Sequence, residues 1–504
     1  MGSHQQKRAV GQKFVIGCDG TWMNSDQGYD TSLFSPPTAQ IPTNVTRIVR
    51  AVKHKDAAGI PQIVFYQRGI GANGDVEDKE LGGLTGAGLS EHVREAYGFL
   101  ANNFNPESQT DINNASTPMD EIVLLGFSRG AFTARAIASL ISDIGLLTRI
   151  GMESFWGIFG DWMKQNIKGR ESEWYESQYN IKIPFTDPSY RQSLIENGLT
   201  RWPIPIRAVG VWDTVGALGI PLPFKEQNVK AYSFVNTKVA KHVEHAFHAI
   251  ALDEHRNFFT PTLWEQPDDA KNLKTLNQVW FPGVHSNVGG SYPDAGISNI
   301  SLAWMISQLE DTDGGILTFD PTYLDWLQDM NNKYYAKGKE DVRPWGLGEL
   351  YNSAPKNSVA GILQGLKPIT RTPGRYHEID DQTGKETSIR LRNTNESIHP
   401  SVRVRIDGGG RGTDEDTEHS SEVLHLLNKA GQILGLTSAQ YSSAALSNYE
   451  LVRPLSVKNE TDHARAGPSG VYWKAKDGLE SLPEAELGRT EIRLLKRSVE
   501  MAKV

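Results

Sequence analysis

The sequence predicts an α/β protein with a mostly parallel β-sheet and helices on both faces of that sheet. Three observations lead to this fold class. Over the first ~300 residues, short apolar runs alternate with segments of helical periodicity, the pattern of parallel strands joined by crossover helices. A glycine-flanked turn at 126–130 stands between the most apolar run and the next helical segment. The composition, 38% hydrophobic and 22% charged, is that of a globular chain and argues against wholesale disorder.

Six apolar runs are predicted strands. They cover residues 14–19, 63–66, 121–127, 206–212, 248–252 and 276–284. Helices are predicted between them from apolar residues that recur with the spacing of one helix face. The first such stripe, at 45–52, follows Thr43, a residue type that favours the N-cap position. Further stripes lie at 93–100 and 132–144.

Two stretches depart from this alternation. Residues 149–203 are rich in large aromatic rings and lie between a predicted helix and a predicted strand, so we predict an inserted cap there. Beyond residue 310 the strand–helix rhythm is lost, and helical patterns at 420–434 and 484–502 are separated by loop-like sequence. The sequence therefore predicts one α/β domain over 12–310. Over 311–504 it predicts a helical, loop-rich C-terminal region packed on that domain rather than a separate domain.

Charge, cysteine content and hydropathy argue against several classes of protein. The 52 basic and 60 acidic residues give a formal net charge of −8, which disfavours nucleic acid as the main partner. The single cysteine, Cys18, excludes an intrachain disulfide framework and a cysteine-based zinc site. No apolar run reaches the ~18 residues of a bilayer span, and the N-terminal residues lack the apolar segment of a signal peptide. We therefore expect a cytoplasmic protein.

The sharpest chemical signal is the run Gly126-Phe127-Ser128-Arg129-Gly130, a G-x-S-x-G pattern between a predicted strand and a predicted helix. In this context the serine occupies a tight turn, and the flanking glycines leave room for the chain to reverse. The Ser128 hydroxyl is then exposed at the C-terminal edge of the sheet. The Arg129 amide, at the helix N-terminus, is placed to bind an oxyanion. The pattern predicts a nucleophilic serine.

A serine hydroxyl needs a base, and the base needs an orienting acid. Asp213 and His285 each follow a predicted strand, in the chain order serine, acid, histidine that α/β-hydrolases show. Because both lie where loops leave the C-terminal edge of the sheet, we expect them to converge on Ser128. Asp253 is the alternative acid, and His399 is the alternative base.

Four segments together resemble the uncharacterised α/β-hydrolase family that includes the phospholipase effectors of bacterial type VI secretion. They are residues 20–22, 126–132, 212–216 and 283–290, and the resemblance covers roughly residues 12–310. It implies an α/β-hydrolase fold and a serine hydrolase with Ser128, Asp213 and His285 as its catalytic triad. The family's histidine loop carries an aspartate two residues after the histidine, whereas this chain has Asn287 there.

The second oxyanion donor in such a fold comes from a loop after an early strand. Gly20 and Thr21 hold that place, and a glycine lets the backbone approach a substrate closely. An alternative, that Gly20 serves only the turn, stays open at this point. The glycine-rich run at 69–74 matches G-x-G-x-x-G, but no helical pattern follows it directly, which disfavours a dinucleotide site. No metal-ligand spacing stands out, and we predict neither a metal nor a cofactor.

The sequence thus predicts a serine hydrolase that cleaves an ester, lactone or related acyl bond through an acyl-enzyme. A phospholipase or lipase acting on membrane lipids is the alternative within the same class. A nucleotide-dependent oxidoreductase using residues 69–74 and a non-catalytic binding protein are the alternatives from other classes. Because the chain is acidic and shows no basic amphipathic face, we expect a soluble acyl substrate to be preferred to packed phospholipid.

Overall fold

Seven parallel strands form the central sheet of the protein. The computed structural model of the chain describes residues 10–20, 29–30, 38–39, 41–69, 87–105, 119–167, 169–215, 237–353, 369–380, 386–408, 410, 441–453, 470–478 and 481–501. The strands are β1 (Val10–Cys18), β2 (Gln62–Gln67), β3 (Met119–Phe127), β4 (Ala208–Trp212), β5 (His245–Ala251), β6 (Thr275–Phe281) and β7 (Glu396–Ile398). Their order across the sheet is β7-β6-β5-β4-β3-β1-β2, and every neighbouring pair is parallel.

Helices and short antiparallel pairs surround this sheet. The helices of the described residues are α1 (Asn44–Ala51), α2 (Ala87–Asn103), α3 (Arg129–Ile144), α4 (Phe155–Met163), α5 (Glu173–Tyr179), α6 (Pro188–Glu196), α7 (His285–Gly289), α8 (Gly296–Asp311), α9 (Pro321–Gly338), α10 (Pro400–Asp407) and α11 (Arg489–Met501). The short antiparallel pairs are Tyr29–Asp30 with Thr38–Ala39, Leu146–Leu147 with Thr200–Arg201, and His377–Ile379 with Glu386–Arg390. Tyr449–Val452, Tyr472–Ala475 and Leu482–Pro483 form a three-stranded sheet.

The strands are apolar because both faces of the sheet are covered. In β1, Phe14 and Ile16 belong to one core cluster while Val15 between them belongs to another, since successive side chains in a strand point to opposite faces. Helices α2 and α3 contribute to the first cluster. Helices α1, α8, α9 and α11 contribute to the second. A parallel sheet requires such cover on both faces, and the result is a three-layer α/β/α arrangement.

The direction in which the chain moves across the sheet changes at β1. This strand pairs with both β2 and β3, so the chain first adds a strand on one side of β1 and then builds the rest of the sheet on the other. In an open parallel sheet, a crevice forms outside the C-terminal ends of the strands at such a switch point. Gly20 follows β1 and Ser128 follows β3. The topology therefore brings the predicted oxyanion loop and the predicted nucleophile to the same crevice.

The predicted α/β-hydrolase-like fold is confirmed. The six predicted strands correspond to β1 to β6, with ends that differ by a few residues. Helix α1 begins directly after Thr43, whose side chain accepts a hydrogen bond from the Thr46 amide as expected of an N-cap. Strand β7 was not predicted. It is three residues long and pairs with β6 at the sheet edge, so its sequence carries too short a pattern to detect.

The C-terminal region is less purely helical than the sequence predicts. The helical pattern at 484–502 corresponds to α11, and the pattern at 420–434 lies outside the described residues. Strand β7 and two small antiparallel sheets also belong to this region, and β7 is part of the central sheet. The division of the chain near residue 310 remains a prediction.

Among the helices that the structure describes, none combines the length and apolar character of a bilayer span.

The aromatic-rich segment at 149–203 contains α4, α5 and α6. Phe155, Phe159 and Trp162 are buried in the same core cluster as α2 and α3. The Trp162 indole donates a hydrogen bond to Asp143 near the end of α3, at 2.8 Å, whereas Trp156 is exposed. Most of the rings that the sequence offers for covering a substrate are thus packed into the core. The role of this segment as an inserted cap remains a prediction.

Candidate active site

Ser128 lies in the turn between β3 and α3, in a backbone conformation that residues other than glycine rarely adopt. Its φ and ψ angles are 59° and −124°. Its amide donates to the carbonyl of Trp212 at the end of β4, at 3.1 Å, which fixes the turn against the neighbouring strand. Although Ser128 occupies the N-cap position of α3, its side chain does not cap the helix. This strained strand-to-helix turn has the geometry of a nucleophile elbow.

The two glycines of the elbow are required by close backbone approach. A Cβ atom on Gly130 would lie 2.2 Å from the carbonyl oxygen of Cys18 at the end of β1. A Cβ atom on Gly126 would lie 2.5 Å from the carbonyl oxygen of Gly130. Both distances are far shorter than a van der Waals contact, so a larger residue at either position would displace the start of α3. The two glycines of the G-x-S-x-G pattern are therefore needed for close packing, Gly130 against β1 and Gly126 against the start of α3.

His285 is the first residue of α7, just beyond the end of β6. Its ring lies between Phe127 and Phe259, with centroid separations of 4.6 Å and 4.9 Å. Phe127 directly precedes Ser128, so this contact places the imidazole beside the elbow. Burial lowers the pKa of His285 below its ordinary 6.5, although Asp213 acts in the opposite direction. The imidazole is therefore neutral near pH 7, as a general base must be.

Asp213 follows β4 and is fully buried. Its Oδ2 lies 2.5 Å from Nδ1 of His285, and its Oδ1 accepts from the Ala251 amide at 2.9 Å. Burial alone would raise the pKa of Asp213. The charge of Arg371 and the hydrogen bonds from His285 and Arg371 outweigh burial and hold the pKa well below its ordinary value. Asp213 is thus an ionised carboxylate that fixes the tautomer and orientation of His285.

Arg371 is a site residue that the sequence did not reveal. Its guanidinium is fully buried and contacts both carboxylate oxygens of Asp213, at 2.5 Å and 3.0 Å. The two residues are 158 positions apart, and Arg371 stands in an irregular segment with no motif around it. No spacing or periodicity signal marks such a residue, because only the fold brings it to the carboxylate.

The structure separates the alternative acid and base from this pair. Asp253 accepts hydrogen bonds from the Gly283 amide, the Tyr441 hydroxyl and the Ser443 hydroxyl, at 2.7, 2.8 and 2.6 Å. His399 is buried, and its two ring nitrogens contact Glu491 and Ser401, each at 2.8 Å. Both side chains are therefore engaged in structural contacts within and to the C-terminal region.

The loop that carries His285 is held by Glu254 and Asn287. The His285 amide donates to Glu254 at 3.2 Å, and Glu254 is itself paired with Arg256. The Asn287 side chain accepts from the Val284 amide and donates to the Glu349 carbonyl at 2.8 Å. An aspartate at this position could not make the second bond, because a carboxylate has no donor. Asn287 therefore uses its amide to fasten the histidine loop to the C-terminal region.

The expected oxyanion donors are only partly described. The Arg129 amide is the first of α3, directly after Ser128. Gly20 adjoins the elbow closely, since a Cβ atom built on it would lie 3.3 Å from the Cβ of Ser128. The Gly20 amide, however, donates to Asp19 Oδ1 at 2.7 Å, so it must release this bond before it can serve an oxyanion. Thr21 lies outside the described residues.

Asp19 holds the loop that Gly20 begins. It is buried, and three hydroxyl groups donate to its Oδ2, those of Tyr66, Thr43 and Thr46 at 2.7, 2.8 and 3.1 Å. Burial raises the pKa of Asp19 to about 6, although these hydrogen bonds act in the opposite direction. The sequence places Asp19 beside the predicted oxyanion loop, but it does not show which hydroxyl groups bind the carboxylate. Its contacts show a structural role for Asp19 beneath the candidate oxyanion loop.

Among the described residues, one group of side chains could hold a metal ion, and it lies at the edge of the sheet opposite the candidate active site. Glu244, His245 and Asp313 bring ligand atoms within 4.8 Å of one another. His245 begins β5, whereas the candidate active site lies at the opposite ends of the strands. Arg207 and Lys274 each contact both carboxylates. The negative charges of Glu244 and Asp313 are therefore already balanced by cations, and we assign no metal to this cluster.

Of the glycine-rich run at 69–74, only Gly69 lies within the described residues.

The fold and this arrangement of side chains define an α/β-hydrolase-like protein with a candidate serine-nucleophile site. The sequence profile described as "T6SS, Phospholipase effector Tle1-like, catalytic domain" matches residues 12–308. This match spans more than half of the 504 residues. The chain belongs to this family, as the resemblance in the sequence indicated.

Similar proteins were found by sequence and by structure. The chain is 27% identical over 266 residues to Uncharacterized protein YEL023C of Saccharomyces cerevisiae, a match that covers 49% of this chain and 32% of the relative. It thus spans about a third of that relative's length. An uncharacterized protein from Pseudomonas aeruginosa aligns with TM-score 0.38 and 16% identity, over 66% of this chain and 49% of the other. The Tle1 effector bound to the VgrG spike of the Type 6 secretion system aligns with TM-score 0.29 and 18% identity, over 57% of this chain and 52% of the other.

Proposed function

We propose that the protein is a serine-dependent lipid hydrolase that cleaves phospholipid ester bonds with Ser128, His285 and Asp213. The observation that carries this proposal is the buried Asp213–His285 pair, 2.5 Å apart, whose imidazole packs on the residue preceding Ser128. A strained serine turn alone would fit a structural role. A neutral buried histidine held by an ionised aspartate beside that turn is the arrangement that activates a hydroxyl.

The three residues have different tasks in the proposed reaction. The Ser128 oxygen attacks the ester carbonyl carbon, and His285 Nε2 takes the serine proton while Asp213 holds Nδ1. The Arg129 amide, with a second donor from the loop after β1, binds the oxyanion of the tetrahedral intermediate. Collapse of the intermediate breaks the ester bond, and His285 returns the proton to the leaving alcohol. Water activated by His285 then attacks the acyl-enzyme and releases the fatty acid.

Membership of the Tle1-like family supports a phospholipid over a small soluble ester as the substrate. The expectation from net charge, that a soluble ester is preferred, has less support. A formal charge of −8 describes the chain as a whole and not the surface around Ser128, and neutral bilayers do not repel an acidic protein. The same triad acts on either substrate, so the substrate must be tested directly.

The test compares phospholipid vesicles with short soluble esters. We expect fatty acid release from phosphatidylcholine vesicles by the wild type and its loss, by roughly four orders of magnitude or more, in Ser128→Ala. Ser139→Ala, on the same helix and outside the candidate site, serves as the matched control and should retain activity. Turnover of soluble esters with no release from vesicles would contradict the phospholipid substrate. Equal activity of Ser128→Ala and wild type would contradict the mechanism.

A further inference from the structure

We propose that Arg371 is a positioning residue, one that sets the geometry and the basicity of the Asp213–His285 pair from the C-terminal region. This inference rests on the proposed function, since it assumes that the pair is the acid and base of the reaction. It concerns a residue that lies beyond residues 12–308, the part of the chain that the family profile matches. The C-terminal region would then complete the active site and not only cover the sheet.

The hydrogen bonds of Arg371 join three parts of the site. One terminal nitrogen, Nη1, donates to Asp213 Oδ1 and to the Ala251 carbonyl, both at 2.5 Å. The other, Nη2, donates to Asp213 Oδ2 at 3.0 Å and to the Phe259 carbonyl at 2.6 Å. Ala251 ends β5, and the Phe259 ring contacts His285. A single guanidinium therefore fixes the acid, the adjacent strand end and the residue that packs on the base.

The two terminal nitrogens of Arg371 form a planar fork that binds both oxygens of Asp213, and this fork determines how the carboxylate is oriented. A carboxylate rotates easily about its last side-chain torsion, which has a broad energy minimum. Two parallel hydrogen bonds from a planar guanidinium remove that freedom. Asp213 Oδ2 is shared between Arg371 and His285, so the orientation that Arg371 imposes is the one in which Oδ2 meets Nδ1. A lysine would keep the charge and lose the fork.

The positive charge of Arg371 affects the basicity of His285 because it balances the negative charge of Asp213, which contacts the imidazole. The charged groups that face the imidazole are the carboxylates of Asp213 and Glu254 and the guanidinium of Arg256. Arg256 pairs with Glu254, as Arg371 pairs with Asp213, so each buried carboxylate is matched by one arginine. Removal of Arg371 leaves Asp213 unmatched, which favours the protonated imidazole and raises the pKa of His285.

The remaining titratable neighbours do not supply this charge. His248 lies on β5 close to Asp213, and its Nε2 accepts from the Thr214 amide at 3.1 Å. Burial lowers the pKa of His248 to about 3, so it is uncharged at neutral pH. Tyr376 lies near Arg371, and burial raises the pKa of its phenol above the ordinary value of 10, so it is neutral as well. Arg371 is thus the cation that matches Asp213 among the described residues.

Other contacts from beyond residue 308 converge on the same loops. The Ser353 hydroxyl donates to Glu254 at 2.8 Å, and the Tyr351 amide donates to Asn287 at 3.3 Å. Tyr441 and Ser443 hold Asp253 on the loop after β5. These contacts fix the backbone around the acid and base, whereas Arg371 reaches the acid itself. That difference makes Arg371 the residue whose replacement should alter chemistry and not only stability.

The experiment measures the rate at which a fluorophosphonate labels the protein across pH, in the full chain. In Arg371→Gln we expect the acid limb of the labelling profile to move to higher pH by about one unit, because a positive charge near the pair is lost. In Arg371→Lys we expect the limb to stay near its wild-type position while the plateau rate falls by about tenfold or more, because the fork is lost.

The matched control is Arg403, another buried arginine of the C-terminal region. It binds both oxygens of Glu484, at 2.7 and 2.9 Å, away from the candidate site. Arg403→Gln and Arg403→Lys should leave the limb and the plateau rate unchanged in folded protein. If Arg371→Gln lacks the thermal transition of a folded protein, the role of Arg371 is tested by the plateau rate of Arg371→Lys compared with that of Arg403→Lys.

Two results would overturn the role of Arg371. One is an acid limb in Arg371→Gln that coincides with that of the wild type. The other is a plateau rate in Arg371→Lys no lower than in Arg403→Lys. Either result, obtained with a wild type that labels normally, leaves the proposed function intact. Failure of the wild type to label at all would instead overturn the proposed function, and the role of Arg371 with it.

Discussion

The elbow around the proposed nucleophile and the proposed acid–base pair are built in opposite ways. The elbow occupies five consecutive residues, 126–130, and its two glycines are fixed by contacts with β1 and with the start of α3. The acid–base pair joins Asp213 to His285 across 72 positions and to Arg371 across 158. The first is a local turn that a short motif specifies. The second exists only once several strands, and the C-terminal region, have assembled.

This difference predicts two kinds of sensitivity to mutation. Changes at the two glycines of the elbow alter backbone packing and should appear first as lost stability, whereas a change at Ser128 removes the proposed nucleophile. Changes in the acid–base pair alter the orientation and protonation of side chains that are already buried, and should appear first as lost turnover. Substitutions at each of the two regions, with a matched control for each, separate these effects.

After the loss of Ser128 itself, the largest expected effect is that of Asp213→Asn. An asparagine in this place stabilises the wrong tautomer of His285 and removes the charge that favours the imidazolium, so we expect turnover to fall by about 10³-fold or more. Asp253→Asn is the matched change in the alternative acid, whose partners are structural. It should lower stability and retain most activity in folded protein. Steady-state hydrolysis by the two variants checks this, and the reverse ranking would move the acid to Asp253.

Gly130→Ala should destabilise the fold, by about 3 kcal/mol in the free energy of unfolding, because its Cβ would overlap the Cys18 carbonyl. Gly160 in α4 offers the control, since a Cβ there meets no atom within 4 Å. Gly160→Ala should raise stability by up to about 1 kcal/mol, as expected for alanine in a helix. Denaturant unfolding of both variants measures the difference. Equal stability of the two would mean that the elbow is not packed as described.

A smaller effect is expected for Asn287→Asp, which introduces the residue that the family resemblance implies at this position. The buried Glu349 carbonyl loses its donor, and a carboxylate is placed near it, so we expect a loss of about 2 kcal/mol in stability. Asn197→Asp also removes a side-chain donor to a carbonyl, but at the exposed end of α6, and should change stability by less than ~0.5 kcal/mol. Comparable values for the two variants in denaturant unfolding would show that Asn287 does not fasten the histidine loop.

The same contrast explains how much of the molecule the sequence predicted. Strands β1 and β3 to β6 were predictable because strands buried on both faces leave continuous apolar runs. Strand β2 lies at the sheet edge and is only partly buried, but its apolar run of β-branched and aromatic residues still marks a strand. The elbow was predictable because its glycines and serine are adjacent. Strand β7 escaped prediction because three residues carry no periodicity. The C-terminal strands escaped it because short edge strands in irregular sequence resemble loops.

The features of the candidate site that could not be predicted are contacts between residues far apart in the sequence, which only the folded chain brings together. Asp213 and Asp253 both follow a strand, and the family resemblance favoured Asp213. In the structure Asp213 contacts His285, whereas Asp253 binds the Gly283 amide. Arg371 had no motif, and the Asp19 network depends on hydroxyl groups from β2 and α1. Buried polar pairs are specified by three-dimensional complementarity, which leaves no periodic trace in a sequence.

Labelling with a fluorophosphonate tests whether a neutral His285 activates Ser128. Peptide mapping by mass spectrometry locates the adduct, and the labelling rate is followed from acidic to mildly alkaline pH. Because the pKa of His285 lies below 6.5 and only the neutral imidazole accepts a proton, the rate should be constant at high pH. It should fall as the pH drops through a midpoint below 6.5, with the adduct on Ser128. An adduct on another residue, or a midpoint above 6.5, would show that His285 does not activate Ser128 in this way.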